Sequence, residues 1–78
     1  MQRMSRNWSS QKEITAPDIA RVIDTYVIGL HAERNRAILK RRFIDGIAFE
    51  PLAEEFNLSV RQTKNIVYRN FDKVFDHL

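Results

Sequence analysis

The sequence predicts an all-α domain, and three observations carry that prediction. Apolar residues recur at helical spacing along the chain and nowhere alternate as a half-buried strand would. The turn formers Gly29, Asp45-Gly46 and Asn57 fall between those stretches and not within them. Seventy-eight residues at 44% hydrophobic content, five Phe among them, suit one small helical core near the lower size limit. The expected architecture is a four-helix domain over residues 14–78, its last two helices a helix-turn-helix without a winged strand. A flexible basic arm over residues 1–13 precedes it.

The arm carries Arg3, Arg6 and Lys12 and no apolar stripe. Trp8 is its one large apolar residue, and it suits a frayed terminus, a side chain docked on the body, or an arm lying on a phosphate backbone. At Thr15-Ala16-Pro17-Asp18 the chain starts a helix: Thr15 caps it, Pro17 sits in the first turn, and Asp18 faces the positive end of the dipole. Ile19, Val22, Ile23, Tyr26 and Val27 form its inner face, and Gly29 with Leu30 closes it. A second helix is expected from about Ala32 to Ile44, burying Ala37, Ile38, Leu39 and Phe43, with Asp45-Gly46 as its stop.

The last two helices are the most specific part of the chain. Leu52, Ala53 and Phe56 give the buried face of a short helix whose first turn tolerates Pro51. Ala53 is small enough for a second helix to cross closely. Asn57 stands at the tight turn, where a left-handed residue is needed and Gly or Asn costs least. Leu58 plugs the corner. Ser59 then caps a long helix over about 59–76, with Gln62 three residues on completing a capping box. Thr63, Ile66, Val67, Phe71 and Val74 continue the inner stripe.

Charge is unevenly placed along this unit. From Asp45 to Leu58 the charged residues are Asp45, Glu50, Glu54 and Glu55, with no Lys or Arg, whereas the last helix carries Arg61, Lys64, Arg69 and Lys73 against Asp72 and Asp76. A net charge of +3 permits nucleic acid without demanding it, so placement says more than the total. An outward face of Arg61, Gln62, Lys64, Asn65, Tyr68 and Arg69 is what a major-groove reader requires. Arg61, Gln62, Lys64 and Asn65 are the candidate base contacts. Ser59, Tyr68 and Arg69 are candidate backbone contacts, joined by Lys40, Arg41 and Arg42 from the cationic second helix. Such phosphate contacts add affinity and salt dependence without sequence information.

Other chemistries find no residues to carry them. There is no Cys, which removes disulfides, thiolate metal sites and a catalytic thiol. His31 and His77 fit no metal-ligand spacing and read as a cap or loop residue and a terminal side chain. Glu54 and Glu55 are adjacent, so on a helix they diverge by about 100°. The two glycines stand alone, so no phosphate loop forms. No apolar run approaches the roughly 18 residues of a membrane span. The expectation is a non-enzyme without cofactor, metal or small-molecule substrate, located in the bacterial cytoplasm with the nucleoid.

The segment from about Leu30 to Leu78 resembles region four of the sigma-70 type sigma factors of bacterial RNA polymerase. The resemblance rests on Asn35-Arg36-Ala37-Ile38-Leu39-Lys40-Arg41-Arg42-Phe43-Ile44-Asp45-Gly46 and on Ala48 to Ser59. It continues through Ile66, Arg69, Phe71, Lys73 and Val74. It implies a four-helix fold whose recognition helix reads upstream promoter DNA. The family's contact positions carry over to Val60, Arg61, Gln62, Lys64 and Asn65. Val60 stands where the family has a cation and Arg61 where it has an acid, so the usual target sequence does not carry over. The resemblance also implies a stand-alone region-four protein of the phage or mobile-element type, since the polymerase-clamp region of a working sigma factor has no counterpart here. Three readings stay open. One is a transcription regulator on double-stranded DNA, alone or as a homodimer. The second is an interaction module for the β flap of RNA polymerase or another partner, and the third a subunit of packaging or recombination machinery.

Overall fold

The computed structural model describes residues 13–78, so the expected basic arm lies almost wholly outside the described residues. Four helices form: α1 (Ala16–Tyr26), α2 (Ala32–Phe43), α3 (Phe49–Glu55) and α4 (Val60–Phe75). No strand occurs among the described residues. The core is aliphatic and draws on every helix: Val22 and Ile23 from α1, Val27 after it, Ile38 and Leu39 from α2, Leu52 from α3, and Ile66, Val67 and Val74 from α4. Phe43, Phe49, Phe56, Leu58 and Leu78 pack around it, partly buried.

α1 begins as its residues dictate. The Thr15 hydroxyl accepts from the Asp18 N–H at 3.3 Å, and the Asp18 carboxylate accepts from the Thr15 N–H at 3.1 Å. That reciprocal pair satisfies two backbone donors that a helix start leaves free. The helix ends earlier than expected. It stops at Tyr26, and Val27 turns extended at φ −92° and ψ 96°. Leaving the helix swings Val27 fully into the core, and the Arg36 Nε–H donates to its carbonyl at 2.7 Å. Gly29 at φ 98° and His31 at φ 62° then turn the chain into α2. Tyr26, expected on the inner face, is instead half exposed and stacks on His77 with ring centroids 3.7 Å apart.

α2 buries Ile38 and Leu39 completely, while Ala37 and Phe43 are only partly covered. Gly46 at φ 71° stops it, and the Ile47 N–H reaches back to the Arg41 carbonyl at 3.2 Å. α3 packs Leu52 and Ala53 inward. Asn57 adopts φ 58°, and two bonds close the turn there: Leu58 N–H to Ala53 O at 2.9 Å and Asn57 N–H to Glu54 O at 3.2 Å. This is a Schellman closure, which needs a left-handed residue at that place. Ser59 then caps α4: its hydroxyl accepts from the Gln62 N–H and the Gln62 side-chain oxygen accepts from the Ser59 N–H, both at 3.0 Å.

One residue of the expected α4 stripe is displaced. Phe71 is 45% exposed, and Asn70 is buried in its place at 6%. At about 100° per residue, Asn70 falls on the centre line defined by Thr63, Ile66, Val67 and Val74, and Phe71 falls on the flank. The Asn70 amide donates to the Ile66 carbonyl at 2.8 Å, which lets a polar side chain occupy the core position.

Candidate nucleic-acid interface

The outward side of α4 follows from the same geometry. Arg61, Asn65, Tyr68 and Asp72 are spaced four, three and four residues apart, so they form one line down the solvent face, and all are exposed. α2 passes beneath α4 and emerges on both flanks of that line. Its first turn brings Arg34 into a shallow groove of about 160 Å³ lined also by Leu58, Gln62, Asn65, Ile66 and Arg69. Its last turn brings Phe43 against Phe71 and Phe75, at ring-centroid distances of 6.0 and 5.0 Å.

The second flank also holds a cation cluster built on one ring. The Arg42 guanidinium lies 4.3 Å from the centroid of Phe49, and the Lys64 ammonium lies 5.6 Å from it. Tyr68 meets the same ring edge-on at 5.8 Å. Arg42 is further fixed by donating to the Ile47 carbonyl at 3.0 Å. The negative faces of an aromatic ring let two like charges sit close together. Lys64, Tyr68 and Arg42, which come from two helices, therefore converge on the first residue of α3.

The remaining expected contacts are placed differently. Lys40 is paired with Asp24 of α1 at 2.8 Å. Arg41 is held by Glu55 of α3 at 3.0 Å and by Asp45 at 2.9 Å. Hydrogen bonds to Glu55, then to Asp45, push its already high pKa further up. These two cations tie helices together, whereas Arg42 stands beside α4. Gln62 is exposed, but its side-chain oxygen is engaged by the Ser59 N–H, so toward a base it offers its amino group as a donor. Arg61, Lys64, Asn65 and Arg69 make no side-chain hydrogen bond or ion pair with another described residue.

Two residues enter the site that sequence reasoning did not place there. Arg34 is one of five Lys and Arg residues on α2 and nothing in the sequence singles it out; the crossing of α2 under α4 sets it in one groove with Arg69. Phe49 has no role in the sequence reading, because nothing in its spacing signals that its ring gathers Arg42, Lys64 and Tyr68. Among the described residues no cluster of His, Asp or Glu could hold a metal ion, and no helix is long and apolar enough to cross a membrane. Comparison with family models, with curated proteins and with solved structures returns no match for this chain.

Proposed function

We propose that this chain is a sequence-specific DNA-binding regulator of transcription, with α3 and α4 acting as a helix-turn-helix of the sigma region-four kind. The observation that carries the reading is the outward face of α4. Arg61, Lys64 and Asn65 are exposed and outside any hydrogen bond or ion pair with another described side chain, on a helix fixed at its start by the Asn57 turn and the Ser59–Gln62 box, with a cation of α2 on each flank. A helix aimed in this way fits the major groove, where Arg and Lys suit guanine edges and Asn suits adenine. Arg34 and Arg69 on one flank and Arg42 on the other, with Tyr68 on the outward line and Ser59 at the start of α4, are the candidate contacts to the phosphates that border the groove. Lys40 and Arg41 support the reading less, because carboxylates of this chain already hold them.

The roles separate experimentally. Arg61→Ala or Asn65→Ala costs about 1–3 kcal/mol on a selected site and relaxes the preference at one base pair. Arg42→Ala weakens all duplexes alike and lowers the salt slope by about one. Site selection from a random duplex pool, followed by titration of these variants, tests the assignment. A selected site that Arg61→Ala and Asn65→Ala bind as well as wild type would refute it. The exposure of Phe71 and Phe75 favours a second reading, in which the same domain docks on the β flap of RNA polymerase. A pull-down of polymerase that Phe71→Lys abolishes, with no selectable duplex, would decide for it.

A further inference from the structure

Gln62 has a fixed polarity. Its side-chain oxygen accepts from the Ser59 N–H, and its own backbone N–H donates to the Ser59 hydroxyl, both at 3.0 Å. The first bond turns the amide oxygen back to the start of α4 and leaves the amino group outermost on an exposed side chain. Turning the amide over would set two donors face to face and leave a backbone N–H at the helix start unmet. An unconstrained Gln reads adenine with both ends of its amide, donating to N7 and accepting from N6. Here the capping bond withholds the accepting end.

The surroundings have the same polarity. The groove on which Gln62 opens is lined by Arg34, Asn65 and Arg69 over Leu58 and Ile66, with no carboxylate among them. From Arg61 to Arg69 the exposed side chains of α4 are Arg61, Gln62, Lys64, Asn65, Tyr68 and Arg69, and the first carboxylate comes only at Asp72. Arg and Lys can only donate, so apart from the engaged Gln62 oxygen the acceptors in this span are the Asn65 amide and the Tyr68 hydroxyl. The N4 donor of cytosine finds no carboxylate there. Guanine presents two neighbouring acceptors in the major groove, O6 and N7, and is the base that a donor-only side chain matches.

We propose that Gln62 selects guanine: its amino group donates to the O6/N7 edge of one guanine, while its oxygen stays on the helix cap. This role rests on the reading of α4 as a helix in the major groove, and it names the kind of site that helix takes. One side chain thereby serves both the cap and the base preference. The cap, and not the residue type, decides that the partner is guanine where Gln ordinarily pairs with adenine.

Site selection from a random duplex pool, run with wild type and Gln62→Glu after thermal unfolding of each, tests this. Glu completes the same capping box, so Gln62→Glu should unfold at the wild-type temperature. Its outermost oxygen accepts and does not donate, so at one base pair the selected base should change from guanine to cytosine, whose N4 donates. Wild type should bind its own site at least about fivefold tighter than a duplex with that pair reversed, and Gln62→Glu should invert the order. Adenine at that pair in the wild-type site would overturn the role of Gln62 and leave α4 as the DNA-reading helix. The same holds for a variant that selects an unchanged site or none. A Gln62→Glu chain that fails to fold would overturn it as well, because the box would then not be what orients the amide. A wild type that selects no duplex would overturn the major-groove reading itself, and the role of Gln62 with it.

Discussion

Replacing Asn57 tests the physical reason that α3 and α4 are joined as they are. Its φ of 58° is imposed by two backbone bonds, Leu58 N–H to Ala53 O and Asn57 N–H to Glu54 O. Any residue that stays there must be left-handed. For an L-residue that region costs roughly 1–2 kcal/mol, and Asn lowers the cost through local hydrogen bonding of its short side chain. Ala keeps the Cβ and loses that help, so Asn57→Ala should destabilise by about 1 kcal/mol. In a domain of this size that is a fall of about 4–8 °C in Tm. Gly has no Cβ penalty and a more flexible unfolded chain, two effects of opposite sign, so Asn57→Gly should stay within about 0.5 kcal/mol of wild type. Thermal and urea unfolding followed by circular dichroism reads both variants. The informative quantity is the Gly–Ala difference, since the unfolded-state term alone would make Gly the less stable. An Ala variant as stable as Gly, or more so, would refute the claim that a left-handed residue closes this turn.

Three further outcomes follow from other parts of the molecule. Asn70→Asp places a carboxylate in the core beside the Ile66 carbonyl that the amide now serves. It should cost at least about 2 kcal/mol at neutral pH and recover as the pH falls and the group is protonated; a pH-independent loss would contradict this. Phe49→Leu keeps an apolar side chain but removes the ring under Arg42 and Lys64. The Lys64 methylene resonances should lose their ring-current shift and move toward free-lysine positions, whereas unchanged resonances would show that the ring does not hold Lys64. The Asp18 carboxyl titrates below its ordinary value, chiefly because it accepts from the Thr15 N–H, then through the Thr15 hydroxyl and Arg21. A lowered folded pKa means its contribution is present above the ordinary carboxylate pKa and fades as pH falls through the lowered one. Side-chain NMR titration should show that lowered value in wild type and only a partial rise in Thr15→Val, which removes the hydroxyl but keeps the backbone N–H; no rise at all would contradict the hydroxyl's share.

Much of this fold could be read from local rules because the residues at the helix ends act locally. Thr15, Gly46, Asn57, Ser59 and Gln62 each do what their side chains or φ preferences favour in isolation, and each stands where expected. The errors have tertiary causes. Val27 leaves α1 because the core and the Arg36 guanidinium stabilise it outside the helix more than one further turn would. Asn70 and Phe71 exchange places because hydrophobicity alone favoured Phe for the stripe, while the angle about α4 favoured Asn once its amide had a carbonyl to bond. The polar face of α4 was legible from spacing alone. Which cations of α2 stand beside it was not, since that depends on how two helices cross. Lys40 and Arg41 look equivalent to Arg42 in sequence, yet Asp24 and Glu55 hold the first two and the Phe49 ring holds the third.

The most direct test of the central claim is fluorescence anisotropy of a labelled duplex pool titrated with the chain across a series of salt concentrations. Wild type is compared with the Arg61→Ala, Lys64→Ala, Asn65→Ala triple variant. Binding that falls steeply with salt in wild type and collapses in the triple variant, with both proteins folded, is the predicted result. Absence of binding at low salt, or a triple variant that binds as wild type does, would contradict the assignment of DNA to the outward face of α4.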